Sequence, residues 1–486
     1  MSESKKILHF TLPAKVSFST LLSCCLLAAC TSGPNYQRPS MELPESWAAK
    51  QGDAKQSATT SAGARWWSLY ADPILDHLED EALSHNADAQ AAVARVLETR
   101  AQLGITEADQ YPAVSANAKQ SRTTSSSVGS APPPAGASRS KNLSHLSLDA
   151  SYELDLWGKF RRASEAARAD LLAAESARDA VYLSLTAQVA QQYFALLSLD
   201  AQEAAIRRAL AGRQETLALD KKRVGAGVLS EYDMHQAEAE VASVSSQLAT
   251  IVQLRNKQEA TLALLLGRSP RDVMNAKLSR GNPSLTSAWV PEGLPAELLL
   301  RRPDLKEAES HLVALNARIG AARAQFFPSI SLTSYLGMES VSLANLFTGP
   351  AGIFQFAASV SQPIFNADRT ARAIEVAESR RDQALVQYKQ AVASAFADVR
   401  NALSSQEAAR QILDSESIRS QALAQAYKQA ELRYQGGIAS RLEFLDVERN
   451  FLQAELNRLD AERAQRSAVA DLFKALGGGW QPLLTQ

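Results

Sequence analysis

This chain offers few places for chemistry. Six histidines are scattered along it (His9, His77, His85, His145, His235, His311), and no pair has the helical spacing that ligates a metal. His-Glu-x-x-His, Gly-x-Ser-x-Gly and the phosphate-binding loop are all absent. Gly225-Ala226-Gly227 lacks the third glycine of a dinucleotide fingerprint and follows a helical pattern, so it reads as a turn. The sequence therefore leads us to expect no enzymatic activity, no cofactor and no metal. The residue best placed for covalent chemistry is Cys30. It closes a leader with Lys5, Lys6 and Lys15 and an apolar run from Leu21 to Ala29. Residues 1–29 read as a secretory signal, far too short a run to span a membrane.

Leu27-Ala28-Ala29-Cys30 resembles the lipobox of bacterial lipoproteins. That resemblance implies a diacylglycerol on the thiol, removal of the leader and Cys30 as the first mature residue. Thr31 stands where an aspartate would retain such a protein at the inner membrane, so the same resemblance implies the outer membrane. Cys24 and Cys25 leave with the leader, which leaves a single mature cysteine and no disulfide framework. The net charge of −1 carries no basic footprint for nucleic acid.

The elements that would position any site come in two copies. Arg223-Val-Gly-Ala-Gly227-Val228-Leu-Ser230 recurs 210 residues on as Arg433-Tyr-Gln-Gly-Gly437-Ile438-Ala-Ser440. At that offset Asp233 meets Glu443, Glu238 meets Glu448, and Leu266-Gly267 meets Leu476-Gly477. Tyr111-Pro112-Ala-Val-Ser115 is echoed by Phe327-Pro328-Ser-Ile-Ser331. A shared order of proline, glycine turn and Leu-Gly punctuation is more than Ala-rich helices produce by chance.

Each half reads alike. A helix over 73–110 stops at Tyr111-Pro112. A strand follows near 113–121, then a Ser-, Pro- and Gly-rich loop at 122–142. The next strand alternates, with Leu146, Leu148, Ala150, Tyr152 and Leu154 on one face and Ser147, Asp149, Ser151, Glu153 and Asp155 on the other. In the second half Ile330, Leu332 and Leu336 share a face opposite Ser331, Thr333 and Tyr335. Phe354, Phe356, Ala358 and Val360 form a fourth strand face, with a loop at 338–352 between. Proline-free helices then run over 158–222 and 367–435, each about 100 Å long. Each ends in the Gly-rich turn and reverses into a shorter helix, 229–266 and 440–476. The domain layout expected is a lipid-anchored segment 30–72 and a first repeat 73–267 with its hairpin at 113–156. A linker 268–300, a second repeat 301–477 with its hairpin at 329–364, and a tail 478–486 follow. Segments 47–72, 268–300 and the tail read as a belt.

Two hairpins give four strands, too few to close a membrane barrel, for which about eight is the useful minimum. Open strand edges are not tolerated in lipid, so strands that span a membrane must be pooled between chains. Three chains would give about twelve strands, even in number and wide enough for a lumen. A soluble alternative is a helical bundle capped by two hairpins.

Together these features resemble the TolC-like outer membrane factor family, in its lipoprotein branch of efflux exit ducts. The residues that carry the resemblance are Cys30-Thr-Ser-Gly33-Pro34-Asn-Tyr36-Gln-Arg-Pro39, Trp66-Trp67, Tyr152-Glu153-Leu154-Asp155-Leu156-Trp157-Gly158-Lys159, Leu300-Arg301-Arg302-Pro303-Asp304-Leu305 and the duplicated turns. The fold implied is mainly α with a membrane β part, a trimeric α-barrel tunnel over a shared twelve-stranded β-barrel, internally duplicated. The partners implied are two further copies, a periplasmic adaptor, an inner-membrane pump and outer-membrane lipid, with no nucleic acid. The turns, through Arg223, Gly227, Ser230, Arg433, Gly437 and Ser440, would dock the adaptor. Glu443 and Asp446, three apart and so on one helix face, would ring the periplasmic constriction. Tyr434 with Asp233 would latch the closed gate. Some relatives carry a latch arginine where this chain has Ala439, so either Arg441 substitutes or the latch is weaker. The function expected is a passive exit duct for drugs or other small toxic molecules. Type I protein secretion, metal-ion export and a coiled-coil scaffold lipoprotein are the alternatives.

Overall fold

A computed structural model describes residues 32–42, 65–130, 132–275, 277–283 and 302–478. The leader, Cys30, Arg301 and much of the expected belt and tail lie outside the described residues. The chain forms two compact units, each assembled from pieces of both sequence repeats: 1–39, 98–172 and 309–386 in the first, 40–97, 173–308 and 387–486 in the second.

The first unit holds one antiparallel sheet, β1 (Ala113–Thr124), β2 (Ser140–Glu153), β3 (Ser329–Ser340) and β4 (Gly352–Ser361), in that spatial order. The register pairs Leu148 with Ala116 and Leu336, and Leu336 with Phe354, so the apolar positions of all four strands share one face. Their polar neighbours line the other: Ser115, Asp149, Tyr335 and Gln355 lie in one cross-strand row. The alternation read from the sequence is thus the alternation of the sheet.

The Tyr152–Lys159 signature is the joint between sheet and helix. Trp157 stacks on Phe327 at 4.7 Å and its indole Nε1 donates to the Pro328 carbonyl at 2.7 Å. Gly158 takes φ +80°, open to glycine at low cost. Asp155 then accepts from the Arg161 amide at 2.8 Å, which starts α3 (Lys159–Gly225). The segment after Cys30 is clamped to this unit. Asn316 donates to the Pro34 carbonyl, Arg162 to the Ser32 carbonyl and the Asn35 side chain, and Arg38 holds Glu309 with two bonds of 2.6–2.7 Å. Gly33 passes directly over Gly320, where a Cβ on either would collide with backbone.

In the second unit the expected single helix over 73–110 is two, α1 (Pro73–His85) and α2 (Ala87–Ala108). Asn86 causes the break. Its side-chain oxygen accepts from the amides of Asp88 and Ala89, capping α2, while its Nδ2 donates to the Leu265 carbonyl at 2.8 Å. The other α-helices of the chain among the described residues, α6 lying mostly in the first unit, are α4 (Glu231–Leu265), the short α5 (Pro270–Met274), α6 (Pro303–Ala324), α7 (Arg369–Gln435) and α8 (Arg441–Ala475). The core of this unit gathers Trp66, Tyr70, Tyr193, Phe194, Leu262 and Phe473, with Trp66 stacked 5.5 Å from Phe473. Glu79 lies wholly buried on α1 without a hydrogen-bond partner, and burial holds its carboxyl well above the usual carboxylate range. Arg302 explains the Arg-Arg-Pro-Asp signature: its guanidinium donates to the Ala475 carbonyl at 2.8 Å, capping α8, and pairs with Asp304 and Asp398. Among the described residues no helix is long and apolar enough to cross a membrane.

Candidate functional site

The duplicated turns fold by one scheme. In the first, the amide of Val228 donates to the Arg223 carbonyl and that of Gly227 to Val224, each at 2.9 Å. Gly227 takes φ +73°. In the second, Ile438 donates to Arg433 at 2.8 Å and Gly437 to Tyr434 at 3.1 Å, with φ +71° at Gly437. This is a Schellman ending, in which the arginine carbonyl takes the outer bond and glycine reverses the chain in the left-handed region. The serine starts the return helix: Ser230 accepts from the Asp233 amide and Ser440 from the Glu443 amide, each at 3.2 Å. Every fixed position of the Arg-x-x-x-Gly-[Val/Ile]-x-Ser motif therefore has a job in the backbone. A Cβ on either Gly227 or Gly437 would meet nothing within 4 Å, so both tips are open to their surroundings.

Glu443 and Asp446 stand exposed on one face of α8, while Phe444 and Leu445 between them are buried. Glu443 lies 3.4 Å from Arg433, and Asp446 accepts from Asn450. Tyr434 stacks flat on Phe444 at 5.3 Å, with the Arg441 guanidinium 5.4 Å above its ring. Asp233 accepts from the Ser230 hydroxyl at 2.7 Å. Within the chain, then, the latch candidates Tyr434 and Asp233 make their contacts apart from each other. Arg441, one of the two alternatives for the missing latch arginine, lies 3.7 Å from Asp220 within the chain. Asp220 was missed from the sequence. Its only signal there is its place one heptad from Arg213 on a helix that is polar over most of its surface.

The sheet presents a second surface. Its apolar face is strongly exposed, with Phe354 at 83%, Phe356 at 69% and Leu336 at 67%. Its polar face carries a hydrogen-bonded row: His145 bridges Glu339 and Ser147, and Asn117 and Ser147 bond Asp149.

A four-stranded sheet with an apolar outer face, long helices and paired reversal tips is the layout of a membrane exit duct rather than of a site for chemistry. The outer membrane efflux protein profile matches residues 78–268 and 294–478, and the chain belongs to that family. The chain is 34% identical to the cation efflux system protein CusC of Escherichia coli O6:H1, over 94% of this chain and 97% of that protein. It is equally 34% identical to the solvent efflux pump outer membrane protein SrpC of Pseudomonas putida, over 94% and 96%. Among solved structures it resembles the Campylobacter jejuni CmeC outer membrane channel (TM-score 0.88, 27% identity, 93% of this chain and 96% of that one). It also resembles the open state of the Neisseria gonorrhoeae MtrE outer membrane channel (TM-score 0.80, 36% identity, 93% and 98%). The protein is an outer-membrane efflux channel, a transport component and not a member of an enzyme family.

Proposed function

We propose that three copies pool their strands into one twelve-stranded barrel and serve as the passive exit duct for drugs or other small toxic molecules. A periplasmic adaptor docks at the turns and links the duct to an energised inner-membrane pump. The observation that carries this reading is the sheet: β1 and β4 are its edges, and its apolar face is exposed. Such a sheet is stable in lipid only when both edges are paired and that face meets acyl chains. Cys30 carries acyl chains at the mature N-terminus, each buried methylene adding about 0.8 kcal/mol of anchoring. Segments 122–142 and 338–352 face the outside of the cell, and Glu443 and Asp446 ring the periplasmic end. Tyr434 and Asp233, between the two hairpin tips, latch that end shut. Native mass measurement in detergent should give a trimer, and the trimer should conduct in planar bilayers. A stable detergent-free monomer would overturn the reading. Relatives of equal identity bear the names of cation and of solvent efflux, so cargo is assigned by which toxicants a deletion strain becomes sensitive to.

A further inference from the structure

Asp220 and Arg441 are a buried ion pair that the candidate site leaves unused. Their side chains are 1% and 8% exposed. They join α3, from the first repeat, to α8, from the second, just inside the reversal tips. The pair is loose: at 3.7 Å it is an ion contact without a hydrogen bond, and both Asp220 oxygens and the Arg441 Nε and Nη1 have no hydrogen-bond partner among the described residues. Two charges removed from water with their polar atoms unmet gain little from each other. What holds Arg441 in place is aromatic: its guanidinium lies 5.4 Å from the Tyr434 ring and 5.9 Å from that of Phe444.

One heptad further from the tips lies a second layer of opposite sense. Arg213 of α3 is 4% exposed, donates to Glu240 of α4 at 2.8 Å and stands 3.2 Å from Glu448 of α8. Arg449 of α8 also reaches Glu240. Beyond it Arg208 of α3 pairs with Glu455 of α8 at 2.7 Å. So α3 presents acid at the tip and base one heptad in, while α8 presents base at the tip and acid one heptad in. Slippage of α8 by one heptad in one direction sets Arg441 against Arg213. Slippage in the other sets Glu448 against Asp220. Both slips bury like charges side by side. The inner layer carries a hydrogen bond between the hairpins, from Arg449 of α8 to Glu240 of α4, that the tip layer lacks, so the tip layer is where the two hairpins part first.

We propose that Asp220 and Arg441 form an intrachain lock that holds the tip of the second hairpin to the first in the closed duct, with Arg213 and Glu448 fixing the register. This rests on the reading that the tips close the duct. Burial pushes the Asp220 carboxyl up, while Arg441 and Arg223 pull it down and Asp233 of α4 opposes them, which places the latch candidate within electrostatic reach of the lock.

The test is single-channel conductance of purified trimers of the full protein, with trimer yield measured alongside. Asp220→Asn and Arg441→Gln should each raise conductance by about fivefold, and the double variant should open no further than either alone, the non-additivity of a contacting pair. Arg441→Lys keeps the charge and should close to within about twofold of wild type. Wild-type conductance in both single variants at normal yield would overturn the lock, as would independent, multiplying effects in the double. If Arg441→Gln fails to assemble, Asp220→Asn against Arg441→Lys decides: a leaky first with a closed second supports the lock, and the reverse rejects it. Tyr434→Phe with Asp233→Ala runs in parallel. If it opens the duct while the lock variants do not, the lock alone falls; if no variant at either place changes conductance, the tip gate itself falls.

Discussion

The two reversal turns have the same backbone and different dress. At the repeat offset Val224 corresponds to Tyr434, Met234 to Phe444, Glu231 to Arg441 and Asp220 to Ala430. The first tip mixes aliphatic, acidic and basic side chains with one exposed tyrosine, Tyr232. The second carries an aromatic stack, Tyr434 on Phe444 and Tyr427 against Phe444 and Phe451, with an arginine laid on it. The difference teaches which properties belong to the turn and which to the tip. Glycine and serine recur because the chain must reverse, while the arginine lends the turn only a carbonyl that any residue would supply. Tyr434, Phe444, Arg441 and Asp446 have no counterpart of like chemistry at the repeat offset, so they are free to serve the duct.

The sharpest way to break this comparison is to disturb what the turns share. Gly227→Val and Gly437→Val force a β-branched residue into the left-handed region, a strain of about 1–3 kcal/mol, into open space. Efflux should be abolished in each while trimer yield holds, measured by drug susceptibility and native gels; wild-type efflux in both would reject a docking role for the tips.

The next largest effect should come from what they do not share. Glu443→Ala with Asp446→Ala should lower cation selectivity and relieve block by multivalent cations, since a ring of carboxylates concentrates cations. The corresponding change in the first tip, Asp233→Ala alone, should leave selectivity in place. Reversal potentials in a salt gradient decide between them.

Tyr434→Phe combined with Asp233→Ala preserves the stack on Phe444 and removes the proposed latch, a charge-assisted bond worth about 1.5–3 kcal/mol. Conductance should rise and cells should become sensitive to bulky antibiotics. An unchanged conductance would mean that closure rests elsewhere.

The smallest effect sharpens the likeness itself. Ser230→Ala and Ser440→Ala should each cost about 1 kcal/mol of helix capping, and by similar amounts. Thermal unfolding that shows one cap to matter far more than the other would show that the tips differ in backbone stability as well as in side chains.

Much of this was legible in the chain because its strands alternate locally and its turn motif occurs twice, 210 residues apart. The strand faces followed from period-two alternation, and the turns from a motif whose every fixed residue acts on its own backbone. Asn86 was not legible: within an Ala-rich helix it looks like one more polar position, and its capping role shows only when Leu265, far along the chain, takes its Nδ2 bond. Arg302 was visible as a signature, but its reason, the carbonyl of Ala475, is distant in sequence. The Gly33 and Gly320 crossing and the Asp220 and Arg441 pair have the same character. Each depends on two segments meeting in one register, which no local window contains.

The open sheet has a consequence for inheritance. A chain that closes its barrel only with two others shares the fate of the copies it meets. In a cell making wild-type and gate-defective chains in equal amounts, random assembly into the proposed trimers leaves only about one duct in eight wholly wild type. A single leaky allele on a plasmid should therefore sensitise a strain whose own copy is intact, and an allele that damages the strand edges, which cannot join a barrel at all, should be silent.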